Sequence, residues 1–398
     1  MKKKFVINVV TGQGGGGHYA TYRAIRAIAE QQQLPWQFQV TDMDEIITGL
    51  SQQNKVKNAY EMLGFSGHDL YNLMVKGGWT WLWPLKMRLN KLLVKLNYDI
   101  GIQIFEEYWR KQQPDLVVSV MPLYNKGLWE SLQRAKPGTP YITLMTDFAD
   151  CPPDFWIDPE ARNHIICGTP RAANQARSLG VEEKRIIETS GLVVNPSFYK
   201  SQLADKSSER EKLGLDANRL TGLVMFGGNG SKTILDIAKR LECFQDKIQL
   251  IFICGRNQEL ASELNQNSGL QKRFVTAFTE NIPYYMHLAD FFIGKPGNVS
   301  ISEAMVMKLP VITESNYLTM IQEKYCAQWI KEKKAGIVVS DFRNIERAVA
   351  KLILPENYSR YQANLDRLNN RAVFEVIEIL EKTLQQSYSN VLSQAIAR

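Results

Sequence analysis

Short, almost wholly apolar runs recur along the chain, and each is followed by a polar turn and a stretch with apolar residues every three or four positions. Runs at residues 5–10, 38–41, 116–120, 141–145 and 164–167 predict strands, as do runs at 223–226, 249–254, 273–278, 291–294, 311–313 and 336–339. Continuous apolarity of this length marks strands covered on both faces. Helical spacing over residues 19–32, 233–242 and 300–307 fills the gaps between them. Strand and helix in repeated alternation imply parallel sheets joined by right-handed crossovers, hence an α/β fold class.

The pattern breaks near residues 195–215, where NPSFYKSQLADKSSEREKLGL is polar and precedes a fresh strand. Each half opens alike, with an apolar strand, a glycine-rich turn and a helix. The expected organisation is two Rossmann-like domains, 1–200 and 201–370, with a helical segment at 371–398 that can pack back on the first domain.

The turns are the first candidate chemistry. Gly12-Gln13-Gly14-Gly15-Gly16-Gly17 lets the backbone approach another group closely and presents helix-start N–H groups to negative charge. It also satisfies GxGxxG, and Asp42 ends the next strand, so a dinucleotide-dependent oxidoreductase stands as one reading. Gly228, Asn229, Gly230 and Ser231 repeat the device, with Ser231 placed to cap the helix at 233–242. A third turn, Lys295-Pro296-Gly297-Asn298-Val299-Ser300, opens another helix. Donors at Gly297, Asn298, Val299 and Ser300 suit a diphosphate. Glu303 can accept two sugar hydroxyls, or serve as a first-turn charge, or complete a capping box with Ser300.

Composition narrows the class. With 44% hydrophobic and 22% charged residues the chain is globular, not disordered or coiled-coil. A net charge of +7 is compatible with anionic ligands or surfaces and does not call for nucleic acid. Five scattered cysteines without a CxxC pair argue against a disulfide framework or zinc site. The apolar start is too short for a signal peptide, and no run approaches a membrane span of about 18 residues. A cytoplasmic chain is expected. Residues 76–95, KGGWTWLWPLKMRLNKLLVK, interleave Trp79, Trp81 and Trp83 with Lys76, Lys86, Arg88, Lys91 and Lys95. Such a segment suits an anionic bilayer interface, a partner-binding groove, or a helix packed on its own domain with a basic outer face.

Several of these segments together resemble a GT-B glycosyltransferase of the family 28-like group, which holds monogalactosyldiacylglycerol synthase, processive diacylglycerol glucosyltransferases and the peptidoglycan N-acetylglucosaminyl transferase. Residues 11–20 resemble the amino-terminal glycine loop ending in His. YITLMTDFADCPPDFWI at 141–157 resembles the "TD(F/L)…HPTW" segment, and GLVVNPSF at 191–198 the "GIPV…F" interdomain strand. FTENIPYYMHLADFFIGKPGNVSISEA at 278–304 resembles the nucleotide-sugar segment. One departure stands out: the His of "HPTW" is replaced by Cys151-Pro152-Pro153-Asp154, which touches the acceptor side and Asp147. The glycine that usually precedes Gln322 is also missing.

The resemblance implies two domains facing a cleft and inverting transfer of a hexose from a UDP-sugar to a membrane lipid, with diacylglycerol the foremost acceptor. It implies His18 as general base, with Gly16 and Gly17 beside it on the acceptor side. Thr279 takes the position whose backbone reads uracil, and Glu303 that of the ribose carboxylate. Gln322 and Glu323 take the pair that contacts donor-sugar hydroxyls. No obligatory metal or cofactor is expected, UDP-sugar being a co-substrate, because helix N-termini can meet the charge of the leaving UDP. Peripheral association with an anionic membrane follows from a lipid acceptor. Other acceptors, a lipid-linked saccharide or a small soluble alcohol, stay open, as does a non-catalytic nucleotide-sugar sensor. His68, His164 and His287 are expected to be structural.

Overall fold

A computed structural model describes residues 4–12, 16–43, 45–46, 91–92, 94–200, 205–266, 269 and 271–396. Trp79, Trp81, Trp83, Lys86 and Arg88 lie outside the described residues, as do Gln13, Gly14, Gly15 and His68. The chain divides into two compact units. One is Met1–Asn195 with Met320–Gln322 and Asn370–Arg398; the other is Pro196–Thr319 with Glu323–Asn369.

The first unit is built on strands β1 (Phe5–Thr11), β2 (Trp36–Asp42), β3 (Leu116–Ser119), β4 (Tyr141–Leu144), β5 (His164–Cys167) and β6 (Ile186–Glu188). All pair in parallel, in the order β2-β1-β3-β4-β5-β6. Helices α1 (Gly17–Gln31), α2 (Tyr98–Gln112), α3 (Asn125–Ala135) and α4 (Pro170–Ser178) flank them. Trp109 of α2 is fully buried among Val10, Val117, Leu128 and Tyr141, and its indole N–H donates to Ser131 at 3.0 Å.

The second unit repeats the plan with β7 (Leu220–Met225), β8 (Ile248–Ile253), β9 (Arg273–Thr276), β10 (Phe291–Ile293), β11 (Val311–Glu314) and β12 (Gly336–Val339), in the order β12-β11-β10-β7-β8-β9. Its helices are α5 (Lys206–Lys212), α6 (Thr233–Leu241), α7 (Gln258–Gln266), α8 (Ile282–Leu288), α9 (Asn298–Val306), α10 (Ile321–Glu332), α11 (Ile345–Leu352) and α12 (Pro355–Asp366). Gly222 of β7 is obligatory for packing, since a β-carbon there would lie 2.6 Å from the Phe291 ring. The last helix, α13 (Ala372–Ile396), belongs to the first unit. Glu375 accepts from the Ser190 N–H at 2.7 Å, and Tyr388 meets Phe5 edge-on.

Every strand expected from the apolar runs is present, with ends shifted by up to three residues. β6 was not foreseen, because three residues followed by polar Glu188 carry too little pattern. The segment expected as an interdomain strand, residues 191–198, is instead irregular and ends in a 3₁₀ turn at Pro196–Tyr199. A side chain at Gly191 would collide with Asn370, whose amide donates to the Leu192 carbonyl. The backbone there is tied to the return of the chain rather than to a sheet.

In each sheet the strand order reverses once, between β1 and β3 and between β7 and β10. At such a point the loops leaving neighbouring strands diverge to opposite faces and open a crevice at the carboxyl ends.

One buried ion pair organises the second unit. Arg210 donates to Asp290, to the Leu288 carbonyl and to the carbonyls of Ala217 and Arg219, while Asp290 also accepts from the Thr221 N–H. Removing the guanidinium takes the side-chain donors from the Leu288 and Ala217 carbonyls and leaves the Asp290 carboxylate only Lys206, at 2.8 Å, and the Thr221 N–H. Arg210→Met is expected to cost about 3–5 kcal/mol in urea denaturation. Arg240→Met, which breaks only the solvent-exposed pair with Glu346, should cost less than about 1 kcal/mol.

Candidate active site

The first crevice forms around the start of α1. Gly16 is its N-cap residue with φ 78°, a left-handed conformation that favours glycine. His18 follows in the first turn, so the turn fixes its direction. Its Nδ1 lies 3.4 Å from the Thr146 hydroxyl, and the ring also hydrogen-bonds the backbone of Val120, just past β3. The imidazole sits 6.1 Å from the Trp156 ring, centroid to centroid. Loss of solvation around this pocket pushes the His18 pKa down to about 4, against a smaller opposite effect of the Val120 carbonyl. The ring is therefore neutral near pH 7, with one nitrogen carrying a lone pair.

Asp147 does not face this pocket as a lone acid. Its Oδ2 accepts from the Trp156 indole N–H at 2.8 Å, so it orients the ring that borders His18. Asp150, buried, accepts three backbone N–H groups, from Asp154, Phe155 and Trp156, at 2.7–3.0 Å. Burial raises its pKa to about 6 in spite of those three donors. This knot shapes the segment in which the family His is missing. Thr146, Val120, Asp150 and Trp156 were not singled out in the sequence; Asp150 and Trp156 sit in the motif that was quoted, but nothing in the letters tells a loop-organising carboxylate from a catalytic one.

Asp42 is engaged elsewhere. It accepts from the Tyr19 hydroxyl at 2.6 Å and from the Glu45 N–H at 3.3 Å, where a dinucleotide site would offer it to a ribose. His164 is half-buried, and burial lowers its pKa ahead of the nearby Arg185 charge.

The second crevice lies between the turns after β7 and β10. Gly227 and Gly230 take positive φ, and Gly228 and Asn229 are exposed at the tip. Cβ atoms on Gly230 or Gly255 would strike the carbonyls of Cys254 and Gly228, so two turns lie backbone against backbone. The Arg256 N–H closes them by donating to the Gly228 carbonyl at 2.8 Å. The Arg256 guanidinium lies over the exposed Phe278 ring, 5.1 Å from its centroid, next to Thr279. The Thr279 hydroxyl is used locally, accepting from the Asn281 N–H. Ser231 is not the helix cap: Lys232 holds that position, and the serine bonds to Thr233 instead.

At the third turn, Gly297 is the N-cap residue of α9 without a side-chain cap, so Asn298, Val299 and Ser300 form the helix start. The Ser300 hydroxyl donates to the Gly297 carbonyl at 3.2 Å. No capping box joins Ser300 to Glu303, and Glu303 lies beyond the first turn. Among the described residues the Glu303 side chain has neither hydrogen bond nor ion pair, and loss of solvation alone raises its pKa to about 8. On α10, Glu323 pairs with Lys295 at 3.1 Å, and the buried Oε1 of Gln322 has no hydrogen-bond partner.

His18 owes its neutrality to the wall beside it. Trp156→Ala is expected to raise the His18 pKa from about 4 toward ~6.5, followed by NMR titration of the imidazole protons.

The family profile for monogalactosyldiacylglycerol (MGDG) synthase matches residues 27–194, and that for the glycosyltransferase family 28 C-terminal domain matches residues 223–376. The chain is 29% identical to a probable monogalactosyldiacylglycerol synthase 2, chloroplastic, of Oryza sativa subsp. japonica over 69% of its own length and 60% of that protein's. It is 25% identical to a processive diacylglycerol beta-glucosyltransferase of Bacillus licheniformis, over 74% and 76% of the two lengths. The crystal structure of Acinetobacter baumannii MurG superposes with a TM-score of 0.58 at 13% identity, over 96% of this chain and all of that one, which shows the shared fold. None of these is a dinucleotide-dependent oxidoreductase. Matched in order, the two Rossmann-type units carry a monogalactosyldiacylglycerol synthase domain and a glycosyltransferase family 28 C-terminal domain, so the chain is a glycosyltransferase of GT-B fold.

Proposed function

We propose that this protein transfers a hexose from a UDP-sugar to diacylglycerol with inversion at the anomeric carbon. The observation that carries the reading is the pair of oppositely prepared groups at the two crevices. One is an imidazole kept neutral in a desolvated pocket; the other is a carboxyl group without a partner among the described residues. The proteins similar to this chain support the acceptor, since the two diacylglycerol-named relatives match 69% and 74% of its length.

An alcohol is a poor nucleophile near neutral pH, so its proton must leave as it attacks the anomeric carbon. Neutral His18 takes that proton, and the Val120 carbonyl, bonded to the ring, favours the imidazolium that forms. The C–O bond to the diphosphate breaks with its electron pair on UDP. Main-chain donors at the turns holding Gly228 to Ser231 and Gly297 to Ser300 meet the added charge, so the reading requires no metal. Glu303 accepts the ribose hydroxyls, the backbone near Thr279 reads the base, and Gln322 and Glu323 accept hydroxyls of the sugar.

A membrane-bound acceptor asks for a docking face. Leu92, Leu96 and Ile100 are exposed at four-residue spacing beside Lys91 and Lys95, directly after the segment with Trp79, Trp81, Trp83, Lys86 and Arg88. Apolar side chains in a row among lysines suit the interface of an anionic bilayer. No described helix is long and apolar enough to cross one.

His18→Ala should keep its UDP affinity and lose about 10²–10⁴-fold in transfer. The assay is radiolabelled UDP-glucose, UDP-galactose or UDP-N-acetylglucosamine with a total lipid extract, followed by product separation. Parent protein that binds UDP and glycosylates no lipid would favour a sensor or another acceptor. Hydrogen bonds from ribose hydroxyls favour ionised Glu303, so UDP binding should expel its proton. UDP affinity is then expected to climb with pH up to about 8 and level off above it, by calorimetry. Glu303→Gln should remove that climb.

A further inference from the structure

Lys295 is the first side chain after the turn from β10, and it stands between two glycine turns. Its Cε lies 3.7 Å from where a β-carbon on Gly227 would sit and 3.6 Å from one on Gly297. The aliphatic stem thus lines both turns at van der Waals distance. Its ammonium is held at 3.1 Å by Glu323 Oε1, itself 3.9 Å from the same point on Gly297. Glu323 is the more buried partner, with a side chain 14% exposed against 42% for Lys295. The strand order reverses between β7 and β10, so this cation occupies the crevice where a parallel sheet of this order takes its ligand.

We propose that Lys295 is a diphosphate-binding cation held in reserve by Glu323, and that the donor breaks this pair on binding. This rests on the UDP-sugar reading above. The diphosphate takes the ammonium, and the released Glu323 carboxylate accepts hydroxyls of the donor sugar.

Two physical features favour exchange over a static ion pair. A lysine carries its charge on four rotatable methylenes and can move to a phosphate oxygen without moving the backbone. A carboxylate as buried as Glu323 is costly to leave unpaired, so releasing it weakens binding unless a replacement donor arrives. UDP alone brings the anion but no such donor; a UDP-sugar brings both. The exchange therefore makes Lys295 respond to the diphosphate and couples Glu323 to the presence of the sugar.

The test is calorimetric titration of uridine, UDP and UDP-hexose into the parent, Lys295→Met, Glu323→Gln and the double variant. Lys295→Met should weaken UDP about ten- to a hundredfold and leave uridine unchanged. Lys295→Arg should restore most of the UDP affinity. Glu323→Gln should bind UDP several-fold more tightly than the parent, because the diphosphate no longer competes with the Glu323 charge for the ammonium, and should lose the parent's preference for UDP-hexose over UDP. The double variant should show no gain over Lys295→Met. Parent-like UDP affinity in Lys295→Met, or equal weakening of uridine and UDP, would overturn the proposal. So would Glu323→Gln with unchanged or weaker UDP binding, a result that decides the matter even if Lys295→Met does not fold. A parent that binds neither uridine nor UDP would instead overturn the UDP-sugar reading itself.

Discussion

The single reversal of strand order in each parallel sheet is the constraint on which both candidate sites depend. Parallel strands joined by crossovers send their loops to one side or the other, and only at the reversal do neighbouring loops part. In the first unit that place is between β1 and β3, and it brings the glycine turn with His18 against the backbone of Val120. In the second it is between β7 and β10, and it brings the Gly227 turn against Lys295. Glycine is required where the turns come closest, as at Gly230 and Gly255, because a single β-carbon would strike a neighbouring carbonyl.

Burial then sets the chemistry of what the crevices hold. His18 and Glu303 are ordinary groups moved in opposite senses by the same cause, since desolvation opposes the charged form of each. The imidazole loses its proton and the carboxylic acid keeps its own. Asp150 shows the counterweight: three backbone N–H donors hold its rise to about 6 although it is buried. Glu323 and Lys295 show the other solution, a pair that satisfies itself until something displaces it.

Much of this was legible in the chain. Apolar runs located all but one strand, since a strand covered on both faces must be apolar throughout. The turns ending at His18, Ser231 and Ser300 were equally visible, because close backbone approach demands glycine and little else. The resemblance to the family's motifs marked Glu303 and Gln322-Glu323. What stayed hidden were contacts between residues far apart in sequence. Asp147 reads as an acceptor-side residue and accepts from the Trp156 indole; Ser231 reads as a cap and bonds to Thr233.

Composition and periodicity by themselves determined two α/β halves with a glycine turn after the leading strand of each, because local propensity and the covering of both sheet faces leave little choice. Only the tertiary structure decided which turn meets which strand end, that Val120, Thr146 and Trp156 enclose His18, and that Lys295 is engaged by Glu323. Those outcomes depend on strand order and on packing across more than a hundred residues of chain in the case of His18 and Thr146, and neither is written in any short window of sequence.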